Sequence, residues 1–369
     1  MKVLLVGAGG YAAGYVKALS KSNAEWVGVV DPYYESSKVK EIIDGAGIPV
    51  FRTMEDFFEN CSADLTVICT PPFLHRAQSI LALSHGSYVL SEKPVAPTAI
   101  DAAAMHGAEQ DSGRWIAVGY QWSFSDAIQA LKQDILDGVL GAPISMKTAI
   151  SWPRSRAYYE RGTGWGGRIT KDGVTVLDSI VSNACAHYLH NMLFLLGNTM
   201  ETSARAEAID CDCFRANAIE NYDTCSLRTH VGKTRLYFIA SHAAERRRDP
   251  EFVYEFERAT VSFAENEGST IRAVFCDGTE KIYGTPFENN FKKLTDCMEA
   301  AARGTRPICT VLTATPHAEL VERIHKEIPI RDFPKERIFV DEGADSVFVR
   351  GLFDELYEAY ASEKLLSEL

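Results

Sequence analysis

Residues 183–191 read NACAHYLHN, with two histidines three positions apart and an asparagine at each end. Such a stretch can hold a metal ion, supply a general base, or form a polar stripe on a buried helix. We expect a helix from about Asp178 to Leu196. On this helix one face would carry Asn183, His187, His190 and Phe194. A metal ion would need a third ligand on that face, and none is present there, so we expect no metal at these histidines.

The nine cysteines form no CxxC pair, which is typical of reduced thiols in the cytoplasm. Cys211 and Cys213 form a CxC pair that could contribute to a metal site. Because no second cluster of ligands accompanies the pair, we interpret the two cysteines as alternate positions on a strand. The sequence therefore predicts no metal ion anywhere in the chain.

Residues 152–171 combine two tryptophans and two tyrosines with four arginines and one lysine, against a single glutamate. Aromatic faces stack on the C–H surfaces of sugars, and arginines bind carboxylates or phosphates in bidentate fashion. This composition favours a carbohydrate or cyclitol ligand, including one with an acid group. The alternative is a structural loop whose arginines pair with surface carboxylates.

Length and charge limit the elements that must position these residues. A chain of 369 residues favours two domains. Its net charge of −12 argues against a nucleic-acid partner or an anionic membrane surface. No apolar stretch is long enough for a membrane helix. We interpret the apolar start, MKVLLVGAGG, as a strand and a turn, and not as a signal peptide.

Short apolar runs alternate with amphipathic helical segments over the first 120 residues. The runs are KVLLVGAG, WVGVVDP, DLTVICTPP, YVLSEKP and WIAVGYQ, and the helical segments include HRAQSILALS and AIDAAAMHGAEQ. Strands buried on both faces and separated by helices predict a parallel, doubly wound sheet. Period-two alternation over residues 199–283 predicts a second, mainly antiparallel sheet.

The first predicted turn has the pattern G-x-G-x-x-A, from Gly7 through Gly9 and Gly10 to Ala12. Such a turn lets a pyrophosphate approach the backbone at a helix N-terminus. Asp31 ends the second strand, where a carboxylate can accept hydrogen bonds from a ribose. Because no arginine follows Asp31 to bind a 2′-phosphate, the sequence favours NAD over NADP.

Several motifs closely resemble the glucose–fructose oxidoreductase / inositol dehydrogenase / rhizopine-catabolism (Gfo/Idh/MocA) family. The most diagnostic is the Glu-Lys-Pro triplet at 92–94 in YVLSEKPVA. The others are VICTPPFLHRAQSILAL at 67–83, GYQWSFSDAIQALKQDILDGVLGAP, SWPRSRAYYERGTGWGGR, AHYLHNMLFLLG and PFENNFKKLTDCMEAAARGTRP.

The resemblance implies an α/β Rossmann domain followed by an α+β domain built on an open, mainly antiparallel sheet. We place the Rossmann domain at 1–122 and the second, substrate-binding and oligomerisation domain at 123–369, with a C-terminal helical extension from about 330. A homo-oligomer, dimer or tetramer, is expected. The resemblance also suggests a cis peptide bond between Lys93 and Pro94.

The implied chemistry is reversible hydride transfer between a nicotinamide and a carbon of a sugar, sugar acid or cyclitol. The predicted cofactor residues are Gly7, Gly9, Gly10, Tyr11, Ala12, Asp31, Thr70, Pro71, Pro72, His75, Glu92, Lys93 and Gln121. The predicted substrate residues are Lys93, Arg154, Tyr158, Trp165, Asn183, His187 and His190.

Lys93 and His187 are the expected acid–base pair, assisted by Asn183. The carboxyl end of a parallel strand directs Lys93 into the cofactor cleft, and His187 matches the position of the family's catalytic histidine. Asn183 departs from the family pattern, which has an aspartate there. An asparagine can orient an imidazole, but it cannot stabilise an imidazolium as a carboxylate does.

Two other classes of function remain open. The same fold supports NAD-dependent glycosidases, in which transient oxidation activates elimination and NADH does not accumulate. A non-catalytic, nicotinamide-sensing regulator is the other alternative. The presence of both Lys93 and His187 argues against the regulator.

Overall fold

The structure is a computed structural model that describes residues 1–265 and 268–369. The chain divides into two compact units. The first comprises Met1–Phe124 and Asn289–Thr315, and the second comprises Ser125–Glu288 and Pro316–Leu369. The first boundary lies two residues beyond the predicted one at 122. The prediction also gave residues 289–315 to the second domain, whereas in the structure they belong to the first unit.

The first unit is built on a parallel six-stranded sheet in the order β3-β2-β1-β4-β5-β6. Its strands are β1 Lys2–Val6, β2 Glu25–Val30, β3 Val50–Phe51, β4 Leu65–Ile68, β5 Tyr88–Ser91 and β6 Ile116–Val118. Val3, Leu4 and Leu5 are fully buried, as expected for a strand covered on both faces. The five predicted strands are confirmed. The two-residue strand β3 was not predicted, because it is too short to show a period.

Helices connect these strands. They are α1 Ala12–Leu19, α2 Lys40–Gly45, α3 Met54–Phe58, α4 His75–Ser84, α5 Ala99–Ser112 and, late in the chain, α9 Lys292–Arg303. The order of the strands changes direction between β1 and β4, where ligands of such sheets bind. The Rossmann prediction is thus confirmed, and the turns after β1, β4 and β5 meet at one edge.

The second unit is built on a mixed sheet of nine strands within the described residues, in the order β16-β15-β14-β13-β7-β12-β11-β10-β17. They are β7 Pro143–Ser151, β10 Ile209–Arg215, β11 Thr224–Val231, β12 Thr234–Ser241, β13 Arg248–Phe256, β14 Ala259–Ala264, β15 Ile271–Phe275, β16 Glu280–Gly284 and β17 Ile330–Asp332. All pairs are antiparallel except β7–β12 and β10–β17. The mainly antiparallel sheet of the prediction is confirmed.

Within the described residues, the second unit also has two small hairpins and five α-helices. The hairpins are β8 Thr170–Lys171 with β9 Val174–Thr175, and β18 Ile338–Asp341 with β19 Ser346–Val349. The helices are α6 Asp126–Leu136, α7 Arg156–Tyr159, α8 Ala186–Leu195, α10 Val311–Glu327 and α11 Leu352–Ser362. The boundary between the units falls within α10, which belongs to the second unit from Pro316 onward. The predicted helical extension from about 330 therefore contains three short strands as well as α11. Leu352 and Leu356 of α11 pack with Tyr237 and Ile239 of β12 in a buried apolar cluster.

The predicted helix from Asp178 to Leu196 is wrong at its start, since α8 begins at Ala186. Serine side chains replace the helical hydrogen bonds of the preceding turn. The Ser182 hydroxyl accepts the N–H of Ser179 and donates to the carbonyl of Leu177, both at 2.7 Å. Such side chains compete with helix formation. Asn183 consequently lies in a turn, and only His187, His190 and Phe194 remain on the helix.

In the part of the chain that the structure describes, no helix is both long and apolar enough to cross a membrane.

Candidate cofactor and substrate sites

The turn after β1 has the backbone shape that its glycines predict. Gly7 has a φ of +90°, and a Cβ at this position would lie 2.8 Å from the carbonyl oxygen of Cys69. Glycine is therefore required there by conformation and by packing. No atom lies within 4 Å of a Cβ built at Gly9 or Gly10, so the backbone of this turn borders open space. Ala12, which begins α1, is fully buried.

Asp31 joins the end of β2 to this glycine turn. One carboxylate oxygen accepts the N–H of Ala8 and the other accepts the N–H of Tyr33, each at 2.7 Å. Each oxygen has a second lone pair for a hydroxyl donor. Within residues 1–265 and 268–369, no lysine or arginine forms an ion pair with Asp31. The arrangement suits a ribose diol better than a phosphate.

The turn after β4 is held from behind by His75. Its ring nitrogens lie 2.9 Å from the carbonyl oxygens of Thr70 and Pro94. Burial lowers the pKa of His75, so the imidazole is neutral and donates only one of these hydrogen bonds. The Thr70 hydroxyl is bonded to the Gln78 side chain at 2.5 Å. His75 thus positions the Thr70–Pro72 turn relative to Pro94.

The turn after β5 contains a buried ion pair that the sequence did not reveal. The Glu92 carboxylate is bonded to the ammonium of Lys293 on α9 and accepts the Tyr15 hydroxyl at 2.7 Å. Its other oxygen accepts the backbone N–H of Lys93 at 3.2 Å. Burial would raise the pKa of Glu92, but Lys293 and the Tyr15 hydroxyl outweigh it and keep that pKa below its ordinary value. Glu92 is therefore ionised and positions Lys93, which lies at the carboxyl end of β5.

Lys93 precedes Pro94 through a cis peptide bond, as predicted. Its side chain is half-buried, whereas Glu92 is 6% exposed.

Tyr11 directly follows the glycine turn. Its ring stacks on Phe291 with centroids 5.6 Å apart, and its hydroxyl donates to the Gln121 side chain at 3.1 Å. Lys293 lies 4.8 Å from the centre of the Tyr11 ring. Phe291 and Lys293 come from the NNFKKL segment. The only sequence signal for them was the resemblance of that segment to the family's late helix.

The open backbone at Gly9 and Gly10, together with the carboxylate at Asp31, suits a dinucleotide. Gly7, Gly9, Gly10 and Ala12 would receive the pyrophosphate and Asp31 the ribose. The predicted cofactor residues Tyr11, Thr70, Glu92, Lys93 and Gln121 all belong to this unit and follow its strand ends.

In the second unit, Asn183 is hydrogen-bonded to a carboxylate. Its amide donates to Asp178 at 2.8 Å, and the other oxygen of Asp178 accepts the guanidinium of Arg161 at 3.0 Å and the N–H of Gly167 at 2.7 Å. Asp178 is 6% exposed. On the expected helix, Asp178 would lie too far along the axis to replace the aspartate that the family has at position 183. Because the segment is a turn, the two side chains meet.

His187 and His190 differ in their surroundings on α8. His187 is half-buried near the start of the helix. His190 is 1% exposed, and its ring stacks on Phe194 and lies 6.4 Å from the ring of His317. Burial, reinforced by His317 and Lys132, lowers the pKa of His190 far below its ordinary value. The imidazole of His190 is therefore neutral, and its burial argues against direct contact with a substrate.

The arginines of the loop at 152–171 have different partners. Arg156 pairs with Glu342 and Asp345, Arg161 with Asp178, and Arg168 with Glu220. These three fit the structural interpretation of the loop.

Arg154 alone among them has no carboxylate partner within the described residues. Its guanidinium lies 5.3 Å from the Trp152 ring centre and 5.0 Å from that of Tyr158, and its Nε is buried without a hydrogen-bond partner. Burial raises the pKa of Tyr158 to about 12, so the phenol stays protonated. Trp165 and Tyr158 flank Arg161. The loop thus presents one unneutralised cation among aromatic rings.

A family model described as an oxidoreductase family with an NAD-binding Rossmann fold (GFO_IDH_MocA) matches residues 1–120. This match confirms the resemblance to the Gfo/Idh/MocA family over residues 1–120. The predictions of an enzyme and of a nicotinamide cofactor agree with this family's description. The choice of NAD over NADP stays a prediction.

Curated relatives cover a similar part of the chain. An inositol 2-dehydrogenase of Renibacterium salmoninarum is 32% identical over 152 residues, which are 40% of this chain and 45% of the relative. A glucose-6-phosphate 3-dehydrogenase of Bacillus subtilis is 26% identical over 147 residues, 40% of this chain and 41% of the relative. The chain thus spans less than half the length of these two relatives.

Solved structures resemble almost the whole fold. The WlbA dehydrogenase of Bordetella pertussis, in complex with NADH and UDP-GlcNAcA, has a TM-score of 0.71 and 21% identity. The match covers 88% of this chain and 95% of that one. At this identity the similarity shows the fold alone, and it extends beyond the first unit into the second.

Proposed function

We propose that the protein is an NAD-dependent oxidoreductase acting on a hydroxyl-bearing carbon of a sugar, sugar acid or cyclitol. The observation that carries this proposal is the glycine turn with Asp31, combined with Lys93 at the carboxyl end of β5. When bound, NAD supplies the hydride acceptor. The chain supplies the groups that bind cofactor and substrate, and the side chains that accept the proton of the substrate's hydroxyl group.

Lys93 and His187 are the proposed proton-exchanging groups. The Glu92 carboxylate fixes the backbone N–H of Lys93 and is itself neutralised by the buried Lys293. This support restricts the backbone from which the Lys93 ammonium extends, as positioned acid–base catalysis requires. The hydrogen bond of Asn183 to Asp178 fixes the turn just before the helix of His187.

The proposed substrate carries several hydroxyl groups and an acid group. Arg154 is the reason to propose an acid group, because a half-buried guanidinium without a carboxylate partner among the described residues can bind an anion in bidentate fashion. Trp152 and Tyr158 are the reason to propose a sugar ring, because aromatic faces can stack on its C–H groups. The two relatives named above act, by their names, on a cyclitol and on a sugar phosphate, which is in keeping with this class.

The choice of cofactor is tested by calorimetry with NADH and NADPH. We expect NADH to bind more tightly, since Asp31 would repel a 2′-phosphate. Asp31→Ser should reduce that preference. Tighter binding of NADPH by the unaltered protein would contradict the role of Asp31.

The reaction is tested by absorbance at the NADH band after mixing the protein and NAD with sugars, uronic acids and inositols. We expect NADH to accumulate with at least one of them, and Lys93→Met to abolish the signal. An aryl glycoside belongs in the same panel. Release of the aryl group without accumulation of NADH would instead identify a glycosidase, and NADH binding without any turnover would favour a regulator.

A further inference from the structure

Three cysteine side chains meet on one face of the second unit's sheet. Cys211 and Cys213 are alternate residues of β10, and Cys225 lies on β11 directly opposite Cys213. Alternate residues of a strand point to the same face. The sequence prediction of alternate strand positions for the CxC pair is confirmed, and the neighbouring strand adds a third thiol.

The sulfur atoms have the spacing of metal ligands. Cys211 Sγ lies 3.8 Å from Cys213 Sγ and 3.6 Å from Cys225 Sγ, and all three fall within 4.8 Å of one another. Thiolates bound tetrahedrally to zinc, at Zn–S distances of about 2.3 Å, are separated by about 3.8 Å. The three thiols therefore need little movement to coordinate one ion.

The environment also suits thiolate ligands. Cys213 and Cys225 are fully buried and Cys211 is 8% exposed, so water competes little for the ion. Thiolates, and not thiols, are the ligands of such an ion, so its binding would release the protons of the cysteine side chains.

A histidine of α10 adds to this environment. His325 is held between two acceptors, since its Nδ1 lies 2.8 Å from the carbonyl oxygen of Val321 and its Nε2 lies 3.0 Å from Oδ1 of Asn221. Its ring packs 5.1 Å from the ring of Tyr222.

We propose that Cys211, Cys213 and Cys225 bind one thiophilic divalent metal ion, of which Zn²⁺ is the representative, through three thiolates. The ion would join β10 to β11 beneath α10. Its role in this position is structural, because it cross-links two strands and stabilises the folded second unit by mass action. This revises the expectation that the chain holds no metal. It does not depend on the proposed oxidoreductase activity.

The test is a titration of reduced, metal-free and tag-free full-length protein with Zn²⁺ in competition with a chromophoric chelator. We expect one equivalent to bind and the melting temperature to rise. X-ray absorption of the 1:1 sample should show three sulfur ligands at about 2.3 Å. Failure to bind one equivalent, or a shell of nitrogen and oxygen atoms only, would overturn the proposal.

A pair of variants locates the site. Cys213→Ser should weaken Zn²⁺ binding by at least about 10²-fold, since loss of even an outer partner of a metal ligand costs about 10- to 100-fold. Cys297→Ser, which alters an equally buried thiol on α9, should leave the affinity within about twofold. Equal binding by Cys213→Ser and the unaltered protein would place the ion elsewhere. If Cys213→Ser does not fold, as judged by circular dichroism, the absorption spectrum of the unaltered protein decides.

Discussion

Lys93 is fixed at its backbone, and His187 lies close to the start of α8. At the scale of single residues these are the two side chains on which turnover should depend most. Positioned acid–base groups contribute about 10²- to 10⁴-fold to rate. Their removal should affect chemistry much more than cofactor binding, which rests on the glycine turn and Asp31.

We therefore expect Lys93→Met and His187→Ala each to lower kcat by at least about 10²-fold, with NADH affinity within a few-fold. Because the two groups would handle the same proton, the double variant should lose less than the product of the single losses. Steady-state kinetics with a substrate from the sugar panel and NADH titrations give both readouts. Lys21→Met, at an exposed position of the first unit, is the control. A fully active His187→Ala would mean that α8 is structural.

Arg154 provides the second prediction at this scale. Arg154→Ala should raise KM for an acid-bearing sugar by about 10- to 100-fold, in line with about 1.5–3 kcal/mol for a charged hydrogen bond. It should change KM for a neutral sugar much less. Arg156→Ala is the matched control, because that arginine is exposed and paired with Glu342 and Asp345. Equal effects of the two variants on both sugars would exclude an anion-binding role for Arg154.

Sequence reasoning found residues with a local signature and missed those that depend on a distant partner. The glycine turn and Asp31 follow from a pattern within one βαβ segment. Lys293 lies 201 residues from Glu92, and Cys225 reaches Cys213 only through strand pairing. No spacing rule relates such pairs, so neither the buried ion pair nor the third thiol could be predicted.

At the scale of elements, periodicity predicted five strands of the first sheet, the strands of the second sheet between residues 199 and 283, and helices α4 and α5, but not β3, β7 or β17. It failed at the start of α8, where the apolar spacing continues through the turn that precedes the helix. The hydroxyl of Ser182 takes over backbone hydrogen bonds there. Competition between side chain and backbone depends on three-dimensional geometry, which apolar spacing does not encode.

Helix α9 provides the prediction at this scale. Lys293→Met removes the partner of a buried carboxylate and should lower the free energy of unfolding near neutral pH by about 3–5 kcal/mol. The lowered pKa of Glu92 means that its contribution is present above the ordinary glutamate pKa and is lost as the pH falls through the folded-state value. Without Lys293, burial favours protonated Glu92. The difference in free energy of unfolding between the variant and the unaltered protein should therefore shrink as the pH falls toward about 4.

Urea unfolding at pH 5 and pH 8 measures this difference. Lys292→Met, the neighbouring lysine with an i,i+4 partner in Asp296, should cost no more than about 0.5 kcal/mol. The double variant Glu92→Gln/Lys293→Met should recover part of the loss, because no buried charge then remains. If Lys293→Met lowered the free energy of unfolding by the same amount at both pH values, the role assigned to the ion pair would be contradicted.

At the scale of the whole molecule, the two units divide the proposed work. The first carries the residues proposed to bind the nucleotide, and the second carries the loop at 152–171, α8 and the cysteine cluster. The net charge of −12 fits a small-molecule enzyme better than a nucleic-acid-binding protein. A dimer or tetramer stays a prediction, which sedimentation of the purified protein would check.

Transfer of deuterium from cofactor to substrate tests the central claim most directly. The protein would be incubated with NADH deuterated at the transferable C4 position and with the keto form of the sugar or cyclitol that gives the strongest response. Mass spectrometry and NMR would then locate the label. We predict one deuterium on the carbon that becomes the carbinol, and no transfer with Lys93→Met. Reduced product without deuterium, or a label that stays in the cofactor, would contradict hydride transfer by this protein.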